Sequence, residues 1–149
     1  MNLLQRIEYW GDRHHPKWAD IPRVVLGLFL CYKGVEFLQN MSDMISRISS
    51  SGVIPSSDFI LMMVGHYIVF AHIVGGLLLA LGMLTRFACL IQIPILIGAI
   101  ILINTSAMHF TSFSEILLAI LVLIGLVYFL VAGNGPWSVD RFTEKENRP

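Results

Sequence analysis

The chain has 149 residues, 56% of them hydrophobic and 13% charged, with ten Lys and Arg balancing ten Asp and Glu. Soluble domains run at about 45–50% apolar and 25% charged, so a chain this short cannot hide its apolar surface by folding on itself, and a membrane is its natural solvent. Zero net charge, with no basic block or aromatic-basic interleaving, excludes a nucleic-acid partner.

Arg6, Arg13, Lys17 and Arg23 are spread through polar and aromatic residues with no small-residue cleavage site, which is not the pattern of a cleaved signal peptide. Within that stretch, residues 3–10 (LLQRIEYW) predict a short interfacial helix. The first long apolar run covers about 21–40, with Pro22 suited to a first helical turn. Met41 to Ser57 is polar and serine-rich with spaced Met and Ile, and reads either as an amphipathic helix over the bundle or as a loop. The second run covers about 58–82, with Asp58 as its N-cap and Gly82 at its end. The third covers about 87–104 and should kink at Pro94. The fourth covers about 114–132 and stops before Gly133, and residues 141–149 (RFTEKENRP) read as a solvated tail.

Each run reaches or approaches the roughly 20 residues that cross ~30 Å of hydrocarbon at 1.5 Å per residue. The runs are continuous, not alternating, so helices are favoured over barrel strands. The expected fold is an all-α membrane protein, a four-transmembrane-helix bundle formed by residues 1–140 as one domain. With the N-terminus inside, Arg6, Arg13, Lys17, Arg23, Arg86, Arg141, Lys145 and Arg148 are cytoplasmic and only Arg47 is external. That asymmetry places both termini in the cytoplasm, with Trp18 and Trp137 at the inner interface.

Ionisable groups inside spans cost about 2.5–3.5 kcal/mol each at mid-bilayer, so each calls for a reason. They are Lys33, Glu36, His66, His72 and Glu115, with Asn104 and His109 near the outer edge. By helical rise, Glu36 lies about 6 Å from the outer end of its span, Lys33 about 10 Å, His66 about 12 Å, Glu115 about 2–5 Å and His72 about 21 Å. All but His72 fall in the outer half, from three helices, which points to one polar site opening outward above an apolar, glycine-packed inner half. Lys33 and Glu36 share a face and read equally as a local ion pair. His66 and Glu115 reach similar depths, where they would tie two helices together, bind a ligand or move a proton. His66 and His72 are about 120° apart around their helix, so they make no metal pair, and no metal is called for. Gly75 and Gly76 lie on the face of His72, where small residues admit another helix. Gln92 reads as an interhelical donor. Cys31 and Cys89 sit about 14 Å and 25 Å from the outer edges of their spans, too far apart axially for a disulfide.

Three pieces resemble the DoxX family of small bacterial four-span membrane proteins: RVVLGLFLCYKGVEFL, HIVGGLLLALGMLTRFA and SEILLAILVLIGLVYFLVAGNGPWSVD. Together they cover most of residues 23–140. Lys33, Glu115, Gly133, Gly135, Ser138 and Asp140 match the family pattern, whereas His72 stands where the family often carries glutamate. The resemblance implies a bundle in the bacterial inner membrane. Through its relation to a thiosulfate:quinone oxidoreductase subunit, it also implies a link to quinone chemistry.

The leading expectation is a quinone-associated, redox-linked membrane subunit, accessory to a membrane or peripheral redox partner. His66, Glu36 or Glu115 would handle protons in it. There is no haem pair, dinucleotide fingerprint or redox dithiol to make it self-sufficient. The second is a non-enzymatic assembly or anchoring component whose polar cluster is structural. The third is a carrier of small or lipid-like solutes, which would need a homo-oligomer and shows no inverted repeat.

Overall fold

The computed structural model describes residues 16–55, 57–105, 113–133, 135, 137–139 and 142–143. The residues 3–10, His109, Asp140 and most of the tail lie outside these, as does the side chain of Asn104. A single 3-10 turn, Lys17–Ala19, leads into α1 (Asp20–Gln39), α2 (Met41–Ser50), α3 (Asp58–Leu81), α4 (Thr85–Thr105) and α5 (Phe113–Ala132). Among the described residues there is no strand.

Among the described residues, three helices are long and apolar enough to cross a membrane: α3, α4 through Leu102, and α5. Their outward faces are the apolar ones, with Phe59, Phe70, Leu77, Phe87, Leu90, Leu121 and Ile124 all more than half exposed. In water such a surface would drive association; in lipid it is the favourable face. α1 is as long as α5 but carries Asp20, Arg23, Lys33 and Glu36.

α1 and α3 approach most closely because both present glycine. A Cβ on Gly27 would lie 2.5 Å from the Ala80 backbone N and 2.6 Å from the Gly76 carbonyl oxygen. No side chain fits between backbones at that distance, so the contact exists only with hydrogen at the Cα. Gly75 admits a different neighbour, the Gln92 side chain of α4, whose Nε2–H donates to the Ala71 carbonyl at 2.7 Å. The two adjacent glycines therefore accept two different helices. Leu30, Leu79, Cys89, Leu96, Val122, Leu126 and Phe129 form the core where the long helices meet. Cys31 and Cys89 are free thiols.

The turn after α3 closes on Gly82, whose φ of 69° is the left-handed conformation that glycine adopts without strain. Asp58 is the first helical residue and Ser57 the cap, with no side-chain hydrogen bond. α4 runs unbroken through Pro94. The segment after α1 is a helix: Met41, Met44 and Ile45 of α2 seat on Gly65 of α3, within 3.4 Å of where its Cβ would be. α2 thus lies over one end of the bundle.

The expectation of an apolar inner half needs correction. Where α1 begins, Asp20 and Arg23 form an ion pair of 2.6 Å, each about 1% exposed. The Trp137 backbone N–H donates to the second Asp20 carboxylate oxygen at 3.1 Å, and Gly135 presses against the same carboxylate. Thr85, Gln92 and Ser138 are also fully buried. Arg23, counted from the sequence among the cytoplasmic charges, is therefore a packed residue of the bundle end.

Candidate functional site

The end of the bundle that α2 covers holds a cavity of about 720 Å³, walled by all five helices. That is within the usual range for small-molecule sites, roughly 300–1,000 Å³. α1 contributes Phe29, Lys33, Glu36 and Phe37, a single face at helical spacing. α3 contributes Val64, Ile68 and His72 at four-residue spacing, with Tyr67 beside them, and α5 contributes Glu115, Leu118, Ala119 and Val122. α4 contributes Pro94, Ile95, Leu96, Ala99 and Leu102, and Gly98, where a Cβ would meet nothing within 4 Å. Asn40 and, from α2, Asp43, Met44, Arg47 and Ile48 border the cavity on the side that α2 covers.

His72 is the most enclosed polar group on this wall, at 5% exposure. Its ring is held in place from three directions. Nδ1–H donates to the Ile68 carbonyl at 2.9 Å. Phe37 meets the ring edge-on, with centroids 5.3 Å apart and planes at 80°. Gly34 allows α1 close, since a Cβ there would be 3.0 Å from the His72 Cβ. A carbonyl partner fixes the proton on Nδ1, so the neutral ring offers Nε2 as a hydrogen-bond acceptor.

Lys33 and Glu36 make the ion pair read from their spacing, Nζ to Oε2 at 2.8 Å. Both remain partly exposed, at 30% and 40%, and each keeps hydrogen-bonding capacity: two further ammonium hydrogens and a second carboxylate oxygen. Glu115 lies in the first turn of α5, where the helix dipole favours a carboxylate.

The cavity thus brings together Lys33, Glu36, His72 and Glu115 and leaves out His66. The His66 ring is exposed, its Nδ1–H bonded to the Met62 carbonyl at 2.8 Å, and it does not line the cavity. Axial depth grouped it with Glu115; its direction around α3 takes it away, while His72 occupies the cavity face. Sequence reasoning missed Asn40, Asp43, Arg47 and Tyr67. The available signal was Asp43 and Arg47 at four-residue spacing in a segment whose Met and Ile define an opposite, apolar face. Among the described residues no three His, Cys, Asp or Glu side chains gather as a metal site.

The DoxX family model matches residues 19–105, more than half of the chain. The chain belongs to the DoxX family. No curated protein and no solved structure matches it. The matched segment of this DoxX protein holds α1 to α4, and with them Lys33, Glu36 and His72. Glu115, on α5, reaches the same cavity from beyond that segment.

Proposed function

We propose that this DoxX protein crosses the bacterial inner membrane four times, both termini cytoplasmic, and holds a quinone-type headgroup in its outward-facing cavity as the accessory subunit of a redox partner. α1 supplies the fourth crossing in this reading. Its 20 residues span about 30 Å, its outer face is apolar at Ile21, Val25, Leu28 and Val35, and its four ionisable groups pair off as Asp20–Arg23 and Lys33–Glu36. Paired charges cross a low-dielectric region at far lower cost than lone ones.

The observation that carries the ligand reading is the pairing of a fixed acceptor with a charged donor on one apolar wall. His72 Nε2 suits the hydroxyl of a quinol, and the free ammonium hydrogens of Lys33 suit the carbonyl of a quinone. The cavity is otherwise lined mainly by Phe, Leu, Ile and Val, which suits the ring face. With Glu36 and Glu115 nearby, protons released or taken up at the headgroup have acceptors on the same wall. In this reading the partner supplies the electrons.

The test is binding to purified protein in nanodiscs. Ubiquinone and menaquinone analogues should raise the thermal midpoint of the wild type in a concentration-dependent way. His72→Leu should fold, since its ring packs against apolar Phe37, and lose at least about tenfold in affinity, the loss expected of a buried hydrogen bond with no replacement. A wild type whose midpoint does not respond to quinones overturns the reading. That result would favour an assembly component whose closed Lys33–Glu36 pair is structural.

A further inference from the structure

The walls of the cavity are unequal. Between α1 and α3, glycine contacts bring the backbones together along the seam, from Gly27 against Gly76 to Gly34 against His72 and Ile73. Between α3 and α4, Gln92 bridges to the Ala71 carbonyl over Gly75. The aqueous side is roofed by α2, with Met41, Met44 and Ile45 seated on Gly65 and Ile48 only 3% exposed.

The seam between α1 and α5 differs. One contact there is Leu26 against Gly125, where a Cβ would lie 3.2 Å from Leu26 Cδ2. The cavity begins immediately above, at Phe29 on α1 and Val122 on α5, and continues along both helices to Glu36 and Glu115. That is seven residues on each helix, about 10 Å of groove. Leu118 on this wall is apolar and 39% exposed, a surface that suits acyl chains and not water. Polar groups stand at the outer end of the groove and apolar ones at its inner end, which is the order of an amphiphile in the outer leaflet.

We propose that the cavity is filled sideways from the outer leaflet through the α1–α5 seam, and that its occupant carries a hydrocarbon tail lying between Phe29 and Ala119. This rests on the quinone-type reading and adds to it a requirement for the tail and a route. A ligand without a tail forfeits the apolar lower part of the groove.

Two benzoquinones with the same ring substituents, one bearing a decyl chain and one a methyl group, test this by calorimetry in nanodiscs. The wild type should bind the decyl form at least about tenfold more tightly, since each buried methylene contributes. Ala119→Trp, which fills the apolar lower part of the groove, should remove that difference. Leu121→Trp, on the lipid-facing side of α5 at 65% exposure, should change neither. A second measurement needs no variant: a decyl probe with a terminal diazirine should label peptides containing Phe29 and Ala119. Labelling confined to α2 residues 41–50, or a decyl preference that survives Ala119→Trp, overturns lateral loading. Failure of the wild type to bind either benzoquinone overturns the quinone-type reading itself.

Discussion

Asp20 is buried for a reason that becomes visible only with the C-terminal segment in place. Its two oxygens serve Arg23 and the Trp137 backbone N–H, joining residues more than a hundred positions apart. Asp20→Asn keeps the shape and removes the charge, leaving Arg23 buried without its counter-ion. The expected cost is on the order of 3 kcal/mol, read as a thermal midpoint lower by about 10 °C in detergent. Replacing both residues, as Asp20→Asn with Arg23→Met, should recover part of that loss; an unchanged midpoint for the single variant would show that the pair contributes nothing. The pairing of Lys33 with Glu36 was legible from spacing alone, because three residues on a helix share a face. The contact of Asp20 with Trp137 was not, since no local periodicity connects α1 to residue 137. His66 and His72 mark the same boundary. Rise along a helix follows from counting residues, whereas which histidine meets the cavity depends on where the neighbouring helices stand.

At the scale of elements, the four apolar runs and their glycines were readable, but the segment joining the first two was left between helix and loop. Its helical form follows from a contact the sequence does not announce: Gly65 makes a shallow seat on α3, and the Met and Ile face of α2 fills it. α2 is short, at ten residues, and a helix of that length is marginal without packing. Gly65→Leu should therefore unseat α2 while leaving the long helices intact. Limited proteolysis in nanodiscs would show this as new cleavage within residues 41–57, with little change in helical circular dichroism. Arg47 is the cleavage site for trypsin. Equal protection of Arg47 in the wild type and the variant would mean that α2 is held by something other than this seat.

For the whole molecule, the decisive feature is α1, which has the length of a crossing helix and the charge of a surface one. If it crosses, Lys17 and Ser50 lie on opposite sides of the membrane; if it lies at the interface, they share a side. Both side chains are exposed and neither touches the cavity, so cysteine substitution there is structurally mild. In a background carrying Cys31→Ser and Cys89→Ala, a membrane-impermeant maleimide should label Ser50→Cys on intact spheroplasts. Lys17→Cys should be labelled only after the membrane is opened. This expected sign follows from the preference of Lys and Arg for the cytoplasmic side, and the burial of Arg23 in its ion pair with Asp20 does not reverse the expectation, since Arg6, Arg13, Lys17 and Arg86 still outnumber Arg47. Labelling of both positions from outside would reduce the bundle to three crossings and place the mouth of the cavity at a different depth. Labelling of Lys17→Cys alone would invert the molecule, and the cavity would then open to the cytoplasm.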